Sequence, residues 1–106
     1  MRTVYLNGEF VSESEAKLSI YDLSVMQAAA AFEMTRSFGG FHFKLGDHLA
    51  RLKESCRLLN IPLPDDWPFL QDAINQITLR NDHGPGEEHR LLIVVSPGCA
   101  PMYRDL

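Results

Sequence analysis

Short β-prone runs broken by turn residues fill the first part of this chain, and helical periodicity follows them. Thr3-Val4-Tyr5-Leu6 and Glu9-Phe10-Val11 flank Asn7-Gly8. Asn-Gly between two such runs predicts a hairpin, because both central positions of the tight turn need a positive φ. Ser12 to Lys17 is polar and reads as loop. Met26 to Ala31 contains a run of alanines, which favours helix, so a short helical turn is expected there. From Phe32 to Phe38 the residues alternate: Phe32, Met34, Arg36 and Phe38 share one face, Glu33, Thr35 and Ser37 the other. Gly39-Gly40 turns the chain and Phe41-His42-Phe43 resumes the alternation, which predicts a second hairpin over about Phe32 to Phe43.

Lys44 to Asn60 carries the clearest helical pattern. Leu45, Leu49, Leu52, Cys56 and Leu59 recur at steps of four and three and form one apolar stripe. Asn60-Ile61-Pro62-Leu63-Pro64 stops it, since a proline disfavours helical geometry in the residue before it. Asp65 or Asp66 is expected to cap a second helix, with Pro68 tolerated in its first turn and Leu70, Ala73, Ile74 and Ile77 on its buried face. Asn81 to Gly86 reads as loop. Arg90-Leu91-Leu92-Ile93-Val94-Val95 is a continuous apolar run, as expected of a strand covered on both faces. Hairpin, hairpin, helix, helix and strand make an α+β domain, expected over residues 1–96. Residues 97–106 are rich in turn formers and read as the start of an interdomain linker, with the chain stopping before a further domain.

Length and composition narrow the function. A chain of 106 residues is the size of one domain. Its 45% apolar and 23% charged residues are ordinary globular usage. A net charge of −4 argues against nonspecific binding of nucleic-acid backbones or anionic membranes, which needs a positive field. No apolar run approaches the roughly 20 residues that span a bilayer, and the N-terminus has no signal-peptide core. With only Cys56 and Cys99 there is no disulfide framework. A soluble, reduced, cytoplasmic domain is expected.

Few side chains suggest chemistry. His42, His48, His83 and His89 lack paired ligand spacing and the cysteines lie far apart, so no metal site is expected. Gly84-Pro85-Gly86 lacks the context of a phosphate loop. Cys56 falls on the apolar stripe, where it reads as a small hydrophobe. Arg51 lies roughly 120° from the centre of that stripe, at its flank. There it either snorkels or holds a phosphate bidentately, and the pattern leaves both open. Arg57, on the opposite flank, is expected to face solvent. Arg36 shares a strand face with three apolar residues and must reach an edge, an acid or a ligand, because burying it unpaired is prohibitive; the face reads equally as core with a snorkelling arginine or as a ligand pocket.

Five segments, in order, then carry a resemblance: Tyr5-Leu6-Asn7-Gly8-Glu9-Phe10-Val11, Leu18-Ser19-Ile20-Tyr21-Asp22, Ala31-Phe32-Glu33-Met34-Thr35-Arg36, Gly40 to Phe43, and Asp47-His48-Leu49-Ala50-Arg51-Leu52-Lys53-Glu54-Ser55. They resemble the small N-terminal domain of the class IV, fold-type IV pyridoxal-phosphate enzymes. Branched-chain aminotransferases, D-amino-acid aminotransferases and aminodeoxychorismate lyase belong to that family. The resemblance implies that Arg51 grips the phosphate of pyridoxal 5'-phosphate and that Phe32, Met34 and Arg36 line the substrate pocket. By position, Met102, Tyr103 and Arg104 correspond to a loop that binds the substrate carboxylate. It further implies a homodimer acting on an amino acid and a 2-oxo acid.

Two departures from the family pattern stand out. Ala28-Ala29-Ala30 replaces a glycine-rich run, and since alanine resists positive φ, that turn is expected to be helical here. The family's Schiff-base lysine belongs to a second domain, and none of Lys17, Lys44 and Lys53 stands in its context. The 106 residues alone are therefore expected to be inactive, with transamination in the intact protein. A lyase of the aminodeoxychorismate type is one alternative. The other is a stand-alone binding or dimerisation domain, against which a large exposed apolar patch would count.

Overall fold

The computed structural model describes residues 1–63, 69–82, 84 and 87–104. The chain divides into two compact units, Met1–Lys17 with Pro64–Glu87, and Leu18–Leu63 with Glu88–Leu106.

In the first unit, strands β1 (Thr3–Leu6) and β2 (Glu9–Ser12) form the expected antiparallel hairpin, in register from Thr3↔Ser12 to Leu6↔Glu9. Asn7 and Gly8 turn it with φ of 52° and 89°, the paired positive values that Asn-Gly supplies at low cost. Part of the polar stretch read as loop forms a 3-10 turn, Glu13–Glu15, capped by the Ser12 hydroxyl, which accepts from the Ser14 amide. Helix α3 (Phe69–Arg80) buries Ala73 and Ile74 and half-buries Leu70 and Ile77. The expected caps Asp65 and Asp66, with Pro68, lie outside the described residues, as do His83, Pro85 and Gly86. Asn81, just past the helix, ties the unit together. Its Oδ1 accepts from the Thr3 amide at 2.9 Å, and its Nδ2 donates to the carbonyls of Thr3 and Ile77, each at 2.9 Å. The Phe10 ring lies 5.1 Å from the Tyr5 ring and 3.9 Å from the Arg80 guanidinium.

The second unit is built on a three-stranded antiparallel sheet of order β4-β3-β5, with β3 spanning Ala31–Phe38, β4 Phe41–His42 and β5 Arg90–Val95. Gly39 and Gly40, with φ of 58° and 88°, close the β3–β4 hairpin at the predicted place. β5 pairs along β3 from Ala31↔Val95 to Arg36↔Arg90. Helix α2 (Leu45–Leu58) follows and buries Leu49, Leu52 and Cys56. It is shorter than the predicted 44–60 because Lys44 and Asn60 are both left-handed, with φ of 52° and 56°, and bound it at either end. Leu59 is half-exposed, so the apolar stripe stops at Cys56.

Three expectations are corrected here. The alanine run is not helical: α1 (Leu23–Met26) precedes it, and Ala28 turns out of the helix with φ of 54°. Helix propensity is a weak prior, and the hydrogen bond from the Ala29 amide to the Leu23 carbonyl closes the turn instead. For the same reason the expectation that alanine would refuse a positive φ fails, since a single left-handed residue costs only about 1–2 kcal/mol. β5 is not covered on both faces. Ile93 is buried while Leu92 and Val94 are each 54% exposed. Its continuous apolar run therefore serves two surfaces: one packed within the unit and one left open.

After β5, Cys99 forms an isolated bridge with Asp22, the Leu23 amide donates to the Gly98 carbonyl at 2.8 Å, and Pro101–Tyr103 forms a 3-10 turn. The Tyr21 and Tyr103 rings stack at 4.1 Å. No described helix is long and apolar enough to cross a membrane.

Candidate functional site

Strand β3 organises the site by presenting two unlike faces. Ala31, Glu33, Thr35 and Ser37 are buried, and Phe32, Met34, Arg36 and Phe38 are exposed. The polar set faces inward, the reverse of what an isolated half-buried strand would do. Ser37 is satisfied by the backbone beside it: its hydroxyl accepts from the His89 amide at 2.8 Å. Thr35 donates to the Phe43 carbonyl at 3.3 Å.

Glu33 needs a stronger partner, and α2 supplies one. Arg51 donates from Nε and Nη2 to both carboxylate oxygens, the Nη2 contact at 3.0 Å. His48, one turn earlier on α2, places Nδ1 at 3.6 Å from the oxygen that receives Arg51 Nε. The Arg51 hydrogen bond holds the Glu33 carboxyl below the usual range; burial opposes this, and the positive charge of Arg51 and contact with His48 add to it. The Glu33 side chain is 8% exposed and that of Arg51 69%. Anchored on its Nε/Nη2 edge, the guanidinium reaches from a buried acid to open surface. Beside it Lys44, Asp47, His48 and Arg51 line a cleft of about 260 Å³. Arg57 pairs with Glu54 and is exposed, as its flank position predicted. Cys56 is buried, and that burial pushes its thiol up, which fits a small hydrophobe.

The opposite face of β3 carries the residues expected to meet substrate. Phe32 and Met34 are 67% and 51% exposed, and their partners Val94 and Leu92 extend the same open apolar surface. Arg36 reaches an acid: its Nε and Nη2 both donate to Glu88, and its guanidinium lies 5.3 Å from the Phe38 ring centroid. Phe32, Met34 and Arg36 are thus brought together, while Arg51 is anchored on the other side of the strand. Arg104 follows the 3-10 turn, is exposed, and has no described contact to the β3 face.

Asp22 is a further buried carboxylate. It caps α1 by accepting from the Ser24 amide at 2.9 Å and hydroxyl at 2.6 Å, and accepts from the Ser96 hydroxyl at 2.9 Å. Burial alone would raise its carboxyl, but these bonds outweigh it and hold it below the usual range. Sequence reasoning did not single out Glu33, Lys44 or His48. The spacing of Lys44, His48 and Arg51 was the available signal, because steps of four and three share one helix face.

Residues 30–105 match the family described as Amino-transferase class IV. The chain belongs to the class IV aminotransferase family. The D-alanine aminotransferase of Staphylococcus epidermidis is 32% identical over 101 residues, which are 95% of this chain and 35% of that protein. Among solved structures, a hypothetical aminotransferase from Mycobacterium tuberculosis in its PLP-bound form superposes with a TM-score of 0.81 at 28% identity. That match covers 93% of this chain and 35% of the other. The branched-chain aminotransferase of Thermoproteus uzoniensis with norvaline gives 0.78 at 25% identity, over 97% and 36%. The α+β fold of this class IV chain is that of the N-terminal part of fold-type IV transaminases. It spans about a third of the length of these relatives, 35% for the staphylococcal enzyme.

Proposed function

We propose that this chain contributes Arg51 and one wall of the active site of a pyridoxal-phosphate-dependent aminotransferase. That enzyme moves an amino group between an amino acid and a 2-oxo acid as a homodimer. One observation carries the reading: in a class IV chain, Arg51 is anchored on buried Glu33 and opens onto a cleft that also holds Lys44 and His48. The lining fits a phosphate, since a guanidinium edge matches phosphate oxygens bidentately and Lys44 and His48 flank it, outnumbering the one carboxylate, Asp47. When bound, the cofactor supplies the electron sink for amino transfer. The chain's own part is to hold the phosphate through Arg51 and to offer the apolar face of Phe32 and Met34 to the substrate side chain. Arg36 and Arg104 are the groups for a substrate carboxylate.

In this reading residues 1–96 are the small domain and 97–106 lead towards a larger one that carries the covalent lysine. The 106 residues alone do not transaminate. The open surface of Phe32, Met34, Leu92 and Val94 supports this over a stand-alone binding domain.

The test is the protein expressed from its native gene, with intact mass, cofactor content and activity measured together. A two-domain mass, bound pyridoxal phosphate and transfer from D-alanine or a branched-chain amino acid to 2-oxoglutarate support the proposal. Product release without an oxo-acid acceptor would favour the lyase. A 12.0 kDa protein without cofactor would leave the binding-domain reading in place.

A further inference from the structure

We propose that Glu33 is a positioning residue: a buried carboxylate that fixes the plane of the Arg51 guanidinium so that its outer edge meets a phosphate. This rests on the phosphate role proposed for Arg51. An exposed ion pair orients its partners weakly, because both side chains pay entropy to meet. Here one partner is locked into a sheet face. Glu33 stands on the inward side of β3, its backbone paired with Ile93, and it takes Arg51 on both oxygens. The guanidinium is planar, so two bonds along one edge set the direction of the other. His48 Nδ1 lies 3.6 Å from the same carboxylate.

Stability alone does not account for this arrangement. A buried ion pair replaced by apolar groups of similar volume is often neutral or stabilising. An arginine serving only to solvate the flank of α2 needs no acid beneath it. Charge alone predicts a different sign for cofactor binding. A carboxylate beside a phosphate site repels the anion, so its removal should tighten binding if Glu33 contributed nothing but its charge. Positioning predicts the opposite.

The sign is measurable. Pyridoxal phosphate and pyridoxal are titrated into the protein expressed from its native gene, as wild type, Glu33→Gln, Arg51→Ala and the double variant, with folding checked by circular dichroism. We expect Glu33→Gln to weaken pyridoxal phosphate about tenfold, the scale of a hydrogen bond to a charged group, and to leave pyridoxal unchanged. It should add nothing in the Arg51→Ala background. Unchanged or tighter binding in Glu33→Gln, with Arg51→Ala weakened, overturns the positioning role and leaves the Arg51 role standing. Unchanged binding in Arg51→Ala overturns the Arg51 role and this one with it. If Glu33→Gln does not fold, Glu33→Asp decides, since it keeps the charge and shortens the reach to Arg51. Weakening of pyridoxal phosphate with pyridoxal unchanged supports positioning, and wild-type affinity overturns it.

Discussion

Asn81→Ala tests how the first unit holds its hairpin. The Asn81 carboxamide meets both the amide and the carbonyl of Thr3, 78 residues away in sequence, in the donor–acceptor pattern of a neighbouring strand. Its second donor contact satisfies the Ile77 carbonyl in the last turn of α3. Truncation removes all of these bonds and leaves two part-buried strand groups without their partner. At about 0.5–1.5 kcal/mol net for each bond, and discounting for water that reaches a part-buried site, the loss comes to about 2–3 kcal/mol. With a urea m-value of about 1–1.5 kcal/mol/M for a chain this size, the unfolding midpoint falls by about 2 M. Far-UV circular dichroism follows the transition, and hydrogen exchange at the Thr3 amide localises the effect. Asn81→Asp is the sharper control: it can still accept from the Thr3 amide but presents charge where the Thr3 carbonyl needs a donor. A midpoint shift equivalent to less than about 0.5 kcal/mol, the level of an ordinary surface substitution, would refute the reasoning. Unchanged Thr3 exchange in a destabilised variant would refute its location.

Ala28→Gly should stabilise the chain by about 0.5–1 kcal/mol, relief of left-handed strain exceeding the added flexibility of the unfolded state; a loss of stability in denaturant titration would contradict the turn. Glu33 and Asp22 titrate below their ordinary values of 4.5 and 3.8. Their contribution is therefore fully present above pH 4.5 and is lost as pH falls through the lowered native values. Thermal melts should show a declining acid limb, shallower in Glu33→Gln, and a flat one would count against both networks. Leu92→Ser, on the open sheet face, should reduce binding of a hydrophobic dye while shifting stability by no more than about 0.5 kcal/mol. Undiminished dye binding would mean that the apolar surface lies elsewhere.

Local chemistry was legible and long-range pairing was not. Asn7-Gly8 and Gly39-Gly40 announced both hairpins, because a two-residue turn is decided by residues adjacent in the chain. The leucine stripe announced α2 for the same reason. The alternation in β3 separated its two faces correctly, yet period alone does not say which face is inside. Glu33 drew no attention for that reason, and Arg51, which follows it by 18 residues and sits on another element, makes its burial tolerable. Ala28 misled in a different way. Alanine's helix preference is a few tenths of a kilocalorie per residue, too small to oppose the turn that follows α1. Arg51 was left between two roles because a helical wheel fixes its direction and not its neighbour.

The strand order β4-β3-β5 has a consequence for synthesis. β4 reaches β3 through a tight turn, but the other edge of β3 waits for β5, which leaves the ribosome roughly fifty residues later, several seconds at about 5–20 residues per second. The hairpin of β1 and β2 likewise emerges long before Asn81. Through that interval the nascent chain carries an open strand edge bordered by Phe32, Met34 and Phe38, a template on which two growing chains can pair. The inward-facing Glu33 lies in the same stretch, a charge that resists such pairing through the first part of the interval, until Arg51 arrives to neutralise it.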